Sequence, residues 1–141
     1  MERITIQTTV NAPLQLVWKY WTDPQHIVNW NFASDDWHSP SAENDLRVGG
    51  KFLSRMEARD GSFGFDFGGI YTEVEEFRRI AYDMTDERSV EADFSEKDGK
   101  TTIMQTFDPE QTNPIEMQRD GWQAIMENFR KYAEKSYAEQ L

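Results

Sequence analysis

A chain of 141 residues and 16.6 kDa is the length of one domain with one sizeable core, and its 9 Phe, 5 Tyr and 5 Trp supply ample apolar material for it. Fifteen Lys and Arg against 26 Asp and Glu leave a net charge of −11, which repels phosphate backbones and anionic bilayers and so excludes charge-driven nucleic-acid or membrane-surface binding. With no cysteine, disulfides, thiolate catalysis and zinc–thiolate sites are excluded together.

Arg3–Val10 alternates, with Ile4, Ile6, Thr8 and Val10 on one face, and predicts a half-covered strand. Asn11-Ala12-Pro13 starts a helix, which carries Leu14, Val17, Trp18 and Trp21 at helical spacing. Thr22-Asp23-Pro24 ends that helix and caps a short second one over Gln25–Asn29. Trp30 to Asp45 reads as an irregular polar loop that nevertheless holds Trp30, Phe32 and Trp37, and its rings make it a candidate lid. Strands are expected at Lys51–Ala58, Phe63–Glu75, Arg79–Asp86, Val90–Glu96 and Thr101–Asp108, with a hairpin turn at Lys97-Asp98-Gly99-Lys100. Gly68-Gly69, inside a long strand, suggests a bulge or sharp bend. Short connections make the sheet mainly an antiparallel meander.

Asn113-Pro114-Ile115-Glu116 reads as a capping box, followed by a helix to about Glu139 whose apolar face carries Trp122, Ile125, Met126, Phe129 and Ala133. Gly121 in its second turn implies close approach of a backbone or a ligand. Strands segregated from helices give an α+β fold, with a bent sheet wrapped around the long C-terminal helix in a single domain over residues 1–141. No apolar run approaches the roughly 20 residues of a membrane span, and Met1–Val10 lacks the form of a leader peptide, so a cytoplasmic protein is expected.

This order, with the residues that fill it, resembles the START-like (SRPBCC) superfamily, and within it the branch named after the activator of the heat-shock-protein-90 ATPase. The resemblance rests on Ala12-Pro13 with Val17-Trp18 and Trp21-Thr22-Asp23-Pro24-Gln25-His26, and on Asp45-Leu46-Arg47-Val48-Gly49-Gly50-Lys51-Phe52. It rests further on Gly69-Ile70-Tyr71-Thr72-Glu73-Val74 and on Gly121-Trp122 with Phe129. It implies a helix-grip (Bet v-like) fold whose cavity, between sheet and C-terminal helix, takes small apolar molecules. The chain departs from the family pattern at Trp30-Asn31, where paired tryptophans are common, and at Thr106-Phe107-Asp108-Pro109 after the last strand.

A metal site built from His26, His38, Asp35 and Asp36 fits no recurring ligand spacing, and these residues read as solvated or capping groups; no metal and no cofactor are expected. Among the strand acids Glu73 is the best candidate for a general base, but a structural ion pair with Arg47 or Arg55 is the favoured role. No catalytic residue is assigned. The apolar set is more informative: Trp30, Phe32, Met56, Phe65, Phe67, Tyr82, Met84, Trp122, Met126 and Phe129 are expected to line a pocket, with Tyr71, Tyr82 or the Trp122 indole orienting its ligand. Which face of Thr101–Phe107 points inward stays open. The leading expectation is a binder of a small hydrophobic or amphipathic molecule. A cyclase-like enzyme using a pocket carboxylate ranks second. A protein-interaction module, meeting a chaperone or a second copy of the chain as a homodimer, ranks third, with chaperone contact disfavoured.

Overall fold

Strand β1 (Ile4–Val10) buries every second residue, the period of a sheet with one covered face. The computed structural model describes residues 2–141, and β1 is followed by α1 (Leu14–Thr22), α2 (Pro24–Ile27), β2 (Trp37–Asn44), β3 (Lys51–Ala58), β4 (Gly64–Glu75), β5 (Arg79–Met84), β6 (Ser89–Lys97), β7 (Lys100–Phe107) and α3 (Ile115–Gln140). The strands form one antiparallel sheet in the order β1-β7-β6-β5-β4-β3-β2. It curves around α3 as a half-barrel, the helix-grip arrangement of an α+β fold.

The first helix begins where expected, although no side chain of its own caps it: the Leu14 N–H donates to the Glu96 carboxylate at 3.1 Å, from the end of β6. Asp23 caps α2 by accepting from the Gln25 N–H at 3.0 Å. In the hairpin between β6 and β7, Asp98 (φ 54°) and Gly99 (φ 77°) both take the left-handed region, as a two-residue turn that follows the strand twist requires.

Four expectations are corrected. The stretch from Trp30 to Asp45 is not one irregular loop, since its second half is β2, an edge strand paired with β3. Its pairing shifts register between His38 and Ser41, around Pro40, and an edge strand at a bulge is where a residue without an N–H is tolerated. The capping box at Asn113 is not formed. Glu110 instead accepts from the N–H groups of Thr112 and Asn113 at 2.9 and 2.7 Å, while the Gln118 amide bridges Glu110 and Asn113 backbone atoms at 2.7–3.0 Å. Gly121 meets no close neighbour, for a Cβ there would touch nothing within 4 Å. The register shift of β4 lies at Tyr71/Glu73 on its β5 side; Gly68 and Gly69 serve close approach, because a Cβ at Gly68 would come within 2.9 Å of the Phe52 carbonyl and one at Gly69 within 2.5 Å of the Asp83 carbonyl.

The long helix is held along one side of the grip. Thr8 donates to Glu127 at 3.0 Å, the Asn11 N–H donates to Glu134 at 2.9 Å, and Gln123 donates to the Gln7 carbonyl at 3.2 Å, so α3 is tied to β1. Tyr20 of α1 packs edge-on against Tyr132 with ring centroids 5.9 Å apart. Phe129, Met126 and Ala133 of α3 join Ile4, Ile6, Val17, Trp18, Ile103 and Phe107 in the core. Charged residues of β4–β6 face the outer surface: Arg79 pairs with Glu73 (2.9 Å), Glu91 (3.1 Å) and Asp93 (2.8 Å). Among the described residues no helix is long and apolar enough to cross a membrane.

Candidate ligand-binding site

Because α3 is anchored to β1 and α1, its N-terminal half meets β4 at the edge-on Phe67–Trp122 pair, 6.1 Å between centroids, and a cavity of about 310 Å³ lies beside that contact. Trp122, Ile125 and Met126 face it from α3; Phe52, Ser54 and Met56 from β3; Phe65, Phe67 and Tyr71 from β4; and Gln105 from β7. Trp21, Ile27, Trp30 and Asn31 close it on the side of the short helices, with Glu43 and Asn44 of β2 and Arg88 completing the wall.

Each wall is set by local pairing. On β3 the inward parity is Phe52, Ser54, Met56, and on β4 it is Phe65, Phe67, Gly69, Tyr71, so the strands offer aromatic rings from adjacent ladder positions. Phe52 packs on Phe67 and Tyr71 at 5.8 and 5.3 Å between centroids. Trp122 lies flat on Phe107 at 3.9 Å and 11°, which fixes its indole as one face of the cavity. Trp30 is stacked on Trp21 at 5.1 Å, and its indole N–H donates to the Tyr20 carbonyl at 2.9 Å. Of the three rings that suggested a lid over Trp30 to Asp45, Trp30 is therefore a buried anchor, while Trp37 packs on Phe63 and Phe65 at 6.0 and 5.8 Å.

The polar groups divide into two kinds. The Tyr71 hydroxyl donates to Asn44 Oδ1 at 2.5 Å, and Asn44 Nδ2 donates to the Thr22 carbonyl at 2.7 Å, so this chain is closed on protein atoms. Burial raises the Tyr71 pKa above the ordinary phenol range, against the pull of the Asn44 hydrogen bond, and keeps the hydroxyl neutral. Arg88 donates to Asp86 at 2.7 Å and to the Asp108 carbonyl at 3.4 Å. Ser54 and Gln105 differ: they are 4% and 7% exposed, both face the cavity, and neither side chain has a hydrogen-bond partner among the described residues.

Of the residues expected from the sequence, Trp30, Met56, Phe65, Phe67, Tyr71, Trp122 and Met126 are brought together on the cavity wall. Four are placed elsewhere. Phe129 is fully buried, edge-on to Trp30 at 4.8 Å, and belongs to the core. Tyr82 stands behind the wall against Phe52 and Tyr71 at 4.7 and 6.2 Å, where burial raises its pKa, and Met84 is buried two residues further along β5, opposite Gly69. Phe32 is half-buried beside the wall without lining it, and its carbonyl accepts from Asn128 at 3.3 Å. Glu73 is exposed and bound to Arg79, not to Arg47 or Arg55; Arg47 pairs with Asp45, and Arg55 with Glu57 and Asp66. The carboxylate foremost as a general base thus lies on the outer face.

The wall residues missed from the sequence include Gln105 and Ser54. Period-two counting from Ile103 and Phe107 puts Gln105 inward, but a run of Thr, Ile, Met and Gln does not say which parity is buried. His26 and His38 sit on separate elements, and His26 Nδ1 shares a hydrogen bond with the Tyr132 hydroxyl at 2.6 Å. Among the described residues no three His, Asp or Glu side chains converge as a metal site would need.

Residues 11–134 match the family model described as Activator of Hsp90 ATPase homolog 1-like protein. The chain is 41% identical to the AHSA1-like protein from Aeromonas hydrophila, whose solution structure superimposes with a TM-score of 0.90 over 96% of this chain and 94% of that one. It is 47% identical to Chr148 from Cytophaga hutchinsonii, at a TM-score of 0.82 over 95% and 93% of the two chains. Protein CV1439 from Chromobacterium violaceum shares the fold at 20% identity, with a TM-score of 0.84 over 95% and 99%. No curated protein matches the chain.

Proposed function

Since the chain belongs to the Activator of Hsp90 ATPase homolog 1-like family, in the START-like superfamily, we propose that it acts as one START-like domain that binds a small hydrophobic or amphipathic molecule between its sheet and its C-terminal helix. The observation that carries this reading is the cavity of about 310 Å³ walled by Trp30, Phe52, Phe67, Trp122 and Met126. Its volume falls at the lower end of the roughly 300–1,000 Å³ of small-molecule sites. A ring ligand that removes roughly 200–300 Å² of apolar surface from water there gains about 5–7 kcal/mol before the cost of immobilisation. That gain alone would correspond to a dissociation constant of roughly 10–200 μM, and the cost of immobilisation weakens a plain hydrocarbon well beyond it, with polar contacts left to supply the rest.

Binding is favoured over catalysis because, among the described residues, the only carboxylate on the wall is Glu43, which is exposed, while Glu73, Asp83, Glu91 and Asp93 lie on other surfaces. The chaperone-related name of the family has no counterpart in the cavity's chemistry.

Met126 is 1% exposed and projects from α3 into this space, so Met126→Trp fills it. Overpacking costs about 1–3 kcal/mol where no space is available and less beside a cavity. Fluorescence enhancement of the neutral probe N-phenyl-1-naphthylamine is expected on the wild-type protein and lost on the variant, with the far-ultraviolet circular dichroism unchanged. Undiminished enhancement on a folded Met126→Trp protein would place binding elsewhere.

A further inference from the structure

The two unpartnered polar side chains specify what kind of ligand this cavity takes, an inference that rests on the binding role proposed above. We infer that the cavity takes an uncharged ligand with an apolar body that carries a hydrogen-bond donor and an acceptor side by side, as a primary amide or a lactam does, read by Gln105 with Ser54 as a second polar contact. Gln105 and Ser54 are more than nine-tenths buried, yet no polar side-chain atom among the described residues is both sealed away and unpaired. Their amide and hydroxyl therefore open on the cavity that both residues line.

The chemistry follows from what each group requires. A glutamine side chain presents one carbonyl acceptor and two N–H donors, and a hydrocarbon ligand satisfies none of them while removing them from water. A carboxylate accepts from the N–H but sets its charge against the Gln105 carbonyl, which then has no donor. An amide answers both at once. Charge around the site agrees: among the described residues Arg88 is the single cation on the wall and is already bound to Asp86, whereas Glu43 adds a negative charge. Asn44 and Tyr71 satisfy each other and Thr22, so they make no comparable demand. Gln105 and Ser54 come from β7 and β3, strands separated by β6, β5 and β4 in the sheet order. A ligand answering both therefore spans the concave side of the grip.

The test compares three probes that share one body, 2-naphthamide, 2-naphthoate and 2-methylnaphthalene, by titration calorimetry at pH 7.5 on the wild-type protein and on Gln105→Leu. The amide is expected to bind the wild type at least about tenfold more tightly than either analogue, because a site built around a hydrogen-bonding pair rejects ligands that leave it unpaired. In Gln105→Leu, a near-isosteric change that leaves an apolar wall, that preference disappears while 2-methylnaphthalene binds within about twofold of the wild type or better. Ser54→Ala is expected to leave 2-naphthamide within about twofold of the wild type, because its single amide cannot reach Gln105 and Ser54 together across the sheet. Equal affinity for amide and hydrocarbon, tightest binding of the naphthoate, or an amide preference that survives Gln105→Leu overturns the inference and leaves the binding role standing. Failure of all three probes to bind overturns both. The wild-type comparison needs no variant, so the test stands even if a substitution at Gln105 impairs folding.

Discussion

His26 shows how one side chain is committed by its surroundings. It lies between Tyr20 and Tyr132, sharing a hydrogen bond with the Tyr132 hydroxyl, and burial lowers its pKa below the usual imidazole value while the Asp23 charge opposes and Lys19 adds to the shift. A base whose pKa is depressed by folding binds its proton more readily in the unfolded chain. Its contribution is complete above about pH 6.5 and is lost as pH falls from there toward the depressed value. The melting temperature of the wild type is therefore expected to fall more steeply between pH 7.5 and 5.5 than that of His26→Gln. Parallel pH profiles for the two proteins would show that His26 is not charged at the expense of folding. None of this was legible in the sequence, where a histidine in a helical turn reads equally well as solvated, because its aromatic neighbours come from α1 and α3, residues 20 and 132.

At the scale of elements, periodicity located what local chemistry dictates and missed what long-range pairing imposes. The alternation of β1, the turn at Asp98-Gly99 and the apolar stripe of α3 place these elements to within a residue or two. β2 escaped because Ser39, Pro40, Ser41 and Asn44 argue for a loop; β3 beside it supplies the ladder, and the Ser39 hydroxyl donates to the Arg55 carbonyl at 2.8 Å. The cap of α3, though not its start, was misread for a related reason, since Gln118 and Glu110 hold the preceding backbone from positions no short motif describes. Gly121 is the clearest opportunity for change. An added Cβ there meets open space, so Gly121→Ala removes backbone entropy from the unfolded chain without strain and is expected to stabilise by about 1 kcal/mol. For a domain of this size that is roughly 4 °C in melting temperature, read by calorimetry. A melting temperature that falls would mean that the space beside Gly121 is occupied in solution.

For the molecule as a whole, the arrangement of ties explains why there is a cavity at all. Polar contacts from Thr8, Asn11 and Gln7 hold α3 to β1, the Tyr20–Tyr132 contact fixes its C-terminal half, and the opposite wall of β3 and β4 touches α3 at the edge-on Phe67–Trp122 pair and leaves open volume beside it. The aromatic residues of that wall were recognisable by type in the sequence, yet type alone does not separate them from Phe129 on the same helix or from Tyr82 and Met84 on neighbouring β5, which pack behind it. Which side of a ring meets space depends on where the helix is pinned, and those ties join residues more than a hundred positions apart.

The methionines report on that distinction directly. Met56 and Met126 line the cavity, whereas Met104 and Met117 are 43% and 62% exposed on other surfaces. With methyl-labelled methionine, titration of N-phenyl-1-naphthylamine is expected to shift the Met56 and Met126 methyl resonances and to leave those of Met104 and Met117 in place. Shifts confined to Met104 and Met117, or spread evenly over all four, would contradict a binding site between the sheet and the C-terminal helix.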